Sequence, residues 1–171
     1  MIYTIGHSTH TADAFLDLLA AHGIQQLADV RTIPASRRHP HFSKEPLRAL
    51  LAEHGIMYRH FPGLGGLRKP RRDTENTGLR HEAFRGYADH MQTSEFLEAV
   101  HQLEKFATVA RTTVMCAEAV WWRCHRQLLA DALLVRGVPV WHILSRSAPK
   151  VHELSEFARA DHGRVIYPGL L

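Results

Sequence analysis

Ile2-Tyr3-Thr4-Ile5-Gly6-His7-Ser8, followed by Thr11-Ala12-Asp13-Ala14-Phe15-Leu16-Asp17-Leu18-Leu19 and then Gln26-Leu27-Ala28-Asp29-Val30, is the stretch on which the fold turns. A short β-rich run ends in glycine, a helical pattern follows, and a second β-rich run comes after Gly23. Thr11 suits an N-cap, Asp13 sits in the first turn, and Phe15, Leu18 and Leu19 share one face. Gly23 is suited to close the helix in the left-handed conformation. Strand, helix and strand in this order make a parallel pair joined by a crossover.

The alternation continues along the chain. Ser43 caps a helix carrying Leu47, Leu50 and Leu51, which Gly55 closes, and Ile56 to His60 reads as a third strand. Phe61 to Arg80 is a long irregular segment containing Pro62-Gly63-Leu64-Gly65-Gly66 and Arg68-Lys69-Pro70-Arg71-Arg72. Loops of this length inside a domain are often binding loops or lids. A helical pattern through Phe84, Tyr87 and Met91 pauses near Ser94 and resumes through Phe96, Leu97, Val100 and Leu103. Thr112 to Cys116 is the fourth strand, about Arg123 to Arg136 a helix ended by Gly137, and Val138 to Ile143 the fifth strand. A last helix after Pro149 is expected from Val151, Leu154 and Phe157, with Val165-Ile166-Tyr167 as a short terminal strand. The expected fold is one α/β domain over residues 1–171, with about five mostly parallel strands and helices on both faces; a partial barrel is the alternative.

The 171 residues are 45% hydrophobic and 22% charged, in the ordinary globular range. No apolar stretch approaches the ~18 residues of a membrane span, and Met1 to Ile5 lacks the basic start and long apolar run of a signal peptide. A cytoplasmic protein without membrane contact is expected, and Cys116 and Cys124 are then expected as free thiols or metal ligands. Net charge is +4, but residues 31–80 hold 11 Lys/Arg against 4 Asp/Glu, leaving that segment strongly basic. Either an anionic partner faces this region or it is a solvated basic face.

Chemically versatile residues follow each strand: Gly6-His7-Ser8, Asp29-Val30-Arg31 with Ser36-Arg37-Arg38, His60, Cys116-Ala117-Glu118 with Cys124-His125-Arg126, and His142 with Ser145-Arg146. Parallel strands would bring them to one edge, where open α/β sheets bind their ligands. Gly6-His7-Ser8, Asp29-Val30-Arg31 with Pro34 and Ser36-Arg37, Leu64-Gly65-Gly66, and Met115-Cys116-Ala117-Glu118 with Cys124-His125-Arg126 resemble the family catalogued as domain of unknown function 488. The resemblance runs from Ile2 to about Ile143. It supports this set of residues as a site and names no reaction.

Several chemistries meet there. A cysteine ending a strand with an arginine near the next helix resembles a phosphatase or rhodanese nucleophile. Those sites need a short loop of small residues, however, and Glu118, Trp121 and Trp122 with no glycine lie between Cys116 and Arg123. For a metal, Cys116, Cys124 and His125 with His7, His142 or Glu118 are suitable ligand types, but the spacing matches no common zinc motif. On a helix, Cys124 and His125 would also point about 100° apart. No metal is expected, and no cofactor is indicated. Gly63-Leu64-Gly65-Gly66 is not a dinucleotide fingerprint, because a basic loop and not a helix follows it.

An anion site has more support. Arg31, Arg37, Arg123 and Arg126 come from separate segments, and guanidinium forks suit phosphate. The expected binding set is Arg31, Arg37, Arg126, His125, Ser8 and Asp29, although Asp29 or Glu118 would compete as structural partners of the arginines. Glu118 and His7 are the candidate acid and base, with Cys116 or Cys124 as nucleophile. Trp121 and Trp122 suit base stacking or plain packing. The expected function is an enzyme acting on a phosphate-bearing nucleotide or nucleic acid. The competing expectation is a non-catalytic nucleic-acid-binding module using the basic 31–80 region, so the partner is an anionic small molecule or a nucleic acid.

Overall fold

The computed structural model describes residues 1–169 and is built around one twisted sheet. Its strands are β1 (Ile2–Gly6), β2 (Gln26–Asp29), β3 (Met57–His60), β4 (Thr112–Cys116), β5 (Val140–His142) and β6 (Lys150–Val151). They lie in the order β3-β2-β4-β1-β5-β6. The first five run parallel, and β6 pairs antiparallel with β5. The sheet is open, with β3 and β6 at its edges, so the partial-barrel alternative gives way to the layered fold.

Alternation along the strands builds a core on each face. Tyr3, Ile5, Leu27 and Met115 point to one face and pack with Phe15, Leu18 and Leu19 of α1 (Ala12–Ala21) and Leu47 and Leu51 of α2 (Lys44–Glu53). Ile2, Ala28, Val114, Cys116 and Val140 point to the other. There they meet α3 (Glu82–His90), α4 (Ser94–Val109) and α5 (Arg126–Val135). Thr11 caps α1 by accepting from Ala14 N at 3.1 Å, and Thr93 caps α4 by accepting from Phe96 N at 3.2 Å. Burying each such Leu or Phe contributes about 1.5–3 kcal/mol, so the two faces are held mainly by these side chains.

Two expectations from the sequence are corrected. Among the described residues no helix follows Pro149. Lys150–Val151 is an edge strand, and His152 N continues its pairing by donating to Val140 O at 2.9 Å. The helical spacing of Val151, Leu154 and Phe157 buries nothing, for all three are exposed. The chain instead forms a separate hairpin of β7 (Arg159–Asp161) and β8 (Arg164–Ile166). His162 and Gly163 both have positive φ at its turn, as the tight hairpin geometry requires. The helix expected from about Arg123 begins at Arg126, after a 3-10 turn at Trp121–Arg123.

The 61–80 segment is irregular but tied down. The Asp89 carboxylate accepts from Arg71 N at 2.7 Å, Thr74 Oγ1 at 2.6 Å and Asn76 Nδ2 at 2.7 Å. Gly86 allows the segment to approach α3, since a Cβ there would lie 2.1 Å from Arg68 O.

Candidate functional site

The connection leaving β1 leads to α1 on one face, and the connection leaving its neighbour β4 leads to α5 on the other. Where adjacent parallel strands part in this way, a crevice opens beyond their carboxyl ends. Pairing persists one step past the strands: His7 N donates to Cys116 O and Ser8 N to Ala117 O, both at 2.9 Å. Gly6 permits the close crossing of the β4 loop, because a Cβ would stand 1.7 Å from Glu118 O and 2.9 Å from Arg126 Nη2.

Cys116, Cys124, His125 and Arg126 meet on the α5 side of this edge. The two sulfurs lie 2.7 Å apart, and both thiols are free. Cys124 Sγ is 3.5 Å from His125 Nδ1, while His125 Nε2 donates to Val30 O at 3.1 Å, assigning the donor hydrogen by its acceptor. The ring packs against Tyr87, with centroids 4.9 Å apart, and against Gly66, where a Cβ would lie 2.9 Å from Nδ1. The sequence expectation that Cys124 and His125 diverge is overturned. Cys124 has an extended backbone (φ −136°, ψ 154°) and α5 starts only at Arg126, so helical geometry does not separate them.

Arg126 is 1% exposed. Its Nη2 donates to the Glu118 carbonyl, its Nε has no protein acceptor, and no carboxylate pairs with it among the described residues. A buried cation of this kind favours a nearby anion. The Cys124 thiol is accordingly held well below the usual thiol range by its contact with Cys116, by His125 and by Arg126, against the opposing effect of burial. Burial and the contact with Cys124 push Cys116 up. The two thiols are thus biased in opposite directions, Cys124 toward thiolate and Cys116 toward thiol.

A different cluster occupies the α1–α2 side. Arg31 clasps Asp29 through Nε at 2.9 Å and Nη2 at 2.7 Å, and Tyr58 OH donates to the same carboxylate at 2.7 Å. His7 stacks on Phe42 at 4.3 Å, donates from Nδ1 to Ser8 O at 2.9 Å, and faces Arg31 Nη1 at 3.4 Å through Nε2. This fixes the neutral tautomer, and burial lowers the His7 pKa to about 4. Ser8 beside it has φ 47°.

Beneath the crevice lies a chain of buried polar groups that the sequence did not suggest. Thr4 Oγ1 contacts His142 Nδ1 at 2.7 Å, and His142 Nε2 contacts His152 Nδ1 at 2.9 Å. His152 Nε2 reaches Asp131 Oδ1 at 2.8 Å. Asp131 also accepts from Tyr167 OH and from the Ser155 hydroxyl and amide. Trp121 stacks on His142 at 4.1 Å with planes 3° apart, so it packs, while Trp122 remains exposed. Burial and neighbouring His152, Arg126 and Lys150 lower the His142 pKa to about 3.

The edge therefore holds two clusters on opposite faces: His7, Asp29 and Arg31 on one, Cys116, Cys124, His125 and Arg126 on the other. Glu118 and Arg123 are exposed at the loop, and Arg37 is exposed on the segment after β2. Glu118 meets Arg126 through its backbone carbonyl and not its carboxylate. Arg31 is committed to Asp29. No three His, Cys, Asp or Glu groups are arranged to hold a metal ion among the described residues. His152, Asp131 and Tyr58 were missed because each gains its role only from contacts distant in sequence.

A family model described as domain of unknown function DUF488 matches residues 11–133. No curated protein and no solved structure matches the chain.

Proposed function

The chain belongs to the DUF488 family, and from that premise we propose that it is a cysteine-dependent enzyme acting on a phosphate-bearing nucleotide or nucleic acid at the carboxyl edge of its sheet. The observation that carries this reading is the contact of Cys124 with His125, whose other ring nitrogen is oriented by Val30 O. A nucleophile, a proton-holding partner and a group orienting that partner form the minimum set for covalent catalysis. The buried Arg126 guanidinium favours the thiolate. Cys124, its thiol proton taken up by His125 Nδ1, attacks the electrophilic centre of the substrate, and His125 passes that proton to the departing oxygen. In the second step His125 takes a proton from water as that water releases the enzyme-bound group.

Arg37, Arg38, Lys69 and Arg72 support the substrate class. They are exposed, have no ion-pair partner among the described residues, and lie on the segments that leave the carboxyl ends of β2 and β3. The same cations favour the second reading, a nucleic-acid-binding module without catalysis. Binding and turnover of nucleotides and of a short oligonucleotide, measured on the wild type, Cys124→Ser and an Arg37→Ala/Arg38→Ala variant, separate the two. Turnover lost in Cys124→Ser with binding kept is the expected result. Turnover retained there overturns the nucleophile, binding without any turnover supports the second reading, and no binding of either ligand at low salt removes phosphate as the recognised group.

A further inference from the structure

We propose that Cys116 and Cys124 form a reversible peroxide-oxidised pair, with Cys124 as the reacting sulfur and Cys116 as the resolving one. The inference takes from the preceding reading only that Cys124 is the reactive thiolate. Its basis is the placement of two free thiols with their sulfurs 2.7 Å apart, at the end of β4 and just before α5. A disulfide is ~2.05 Å long, so joining them needs only a small approach of the sulfurs. The asymmetry between the two thiols assigns the roles. Cys124 Sγ lies 3.5 Å from His125 Nδ1, which can take up its proton, whereas the Cys116 sulfur has Cys124 as its one side-chain hydrogen-bond partner among the described residues; the Cys124 thiol is lowered and the Cys116 thiol raised accordingly. Thiolate character decides which sulfur is oxidised first.

The chemistry balances with hydrogen peroxide as oxidant. The Cys124 thiolate attacks one peroxide oxygen, the O–O bond breaks, and sulfenic acid and hydroxide form. The Cys116 sulfur then attacks the sulfenic sulfur, the S–S bond forms, the S–O bond breaks, and the Cys116 proton leaves with the hydroxyl group as water. Two thiols lose two electrons in total and peroxide accepts them. A dithiol reductant reverses the change by thiol–disulfide exchange. Because Cys124 is consumed, the oxidised form has no free thiolate at the site.

The test treats the full chain with hydrogen peroxide, then counts thiols under denaturing conditions and maps the linkage by peptide mass. Expected are loss of both thiols, an intrachain Cys116–Cys124 peptide, and return of both thiols with dithiothreitol. In Cys116→Ser, Cys124 should stop at sulfenic acid, trapped by dimedone. Both thiols remaining free in the wild type overturns the proposal, as does a link between chains or Cys124 sulfinic acid accumulating with Cys116 present. These outcomes are read on the wild type, so they hold even if Cys116→Ser does not fold. They also require no substrate: failed turnover with a formed disulfide sinks only the phosphate reading, and turnover with both thiols still free sinks only this one.

Discussion

At Cys124 three consecutive residues do three different jobs: a sulfur, an imidazole 3.5 Å from it, and a buried guanidinium that favours negative charge. Alkylation by iodoacetamide should therefore be nearly independent of pH between about pH 6 and 8, where an ordinary thiol loses reactivity about tenfold per unit below its pKa. His125→Ala should steepen the pH dependence, measured as alkylation rate at Cys124; a flat profile in that variant would assign the thiolate to Cys116 and Arg126 without the imidazole. A second residue-scale consequence concerns acid. His7 and His142 have pKa values lowered from 6.5 to about 4 and about 3. Below pH 6.5 the unfolded chain takes up these protons and the folded chain does not, so stability falls as pH drops from 6.5 toward 4, by up to about 2.7 kcal/mol per unit for two sites. Urea midpoints over that range should show the loss, and His142→Gln should roughly halve the part due to these two histidines.

Among the elements, the irregular ones depend on buried carboxylates. Asp131 on α5 accepts from His152, Ser155 and Tyr167, and so fastens the segment after β6 and the residue following β8 to α5. Asp89 on α3 does the same for the 61–80 segment, and Asn76 links the two by accepting from Tyr167 N at 2.9 Å. Removing the Asp131 carboxylate leaves several buried donors unmatched. Asp131→Ala should cost about 3–5 kcal/mol in urea unfolding, whereas Phe157→Ala, at an exposed position, should stay within about 0.5 kcal/mol. Equal effects would mean that the network does not anchor the hairpin. The β1–β4 junction depends instead on an absent side chain: Gly6→Ala places a methyl against backbone at Glu118, and at least about 1–3 kcal/mol should be lost.

For the whole molecule, the order β3-β2-β4-β1-β5 puts the point of strand divergence beside the thiols, and the cationic segments leave the same edge. If a polynucleotide crosses that edge, each phosphate contact removed by substituting Arg37, Arg38, Lys69 or Arg72 should reduce the slope of log K against log salt by about 0.7 to 0.9. A small nucleotide would leave the slope nearly unchanged on substituting Lys69 and Arg72, and titration at several salt concentrations distinguishes the two.

The sequence by itself determined the parallel strands, the helices between them and the edge at which the reactive residues gather. These are periodic or local signals: Phe15, Leu18 and Leu19 repeat with a helix, and His7, Asp29 and Cys116 each end or follow a strand. Local spacing misled where the pattern was short, at Val151, Leu154 and Phe157, because nothing in those residues reports that His152 is drawn to Asp131. The division of the edge into two faces, the pairing of Arg31 with Asp29, and the meeting of Cys116, Cys124 and His125 were decided by the tertiary structure alone. Each depends on distances between strands and on where α5 begins, and a side-chain contact of a few ångströms is set by packing that no single stretch of sequence contains.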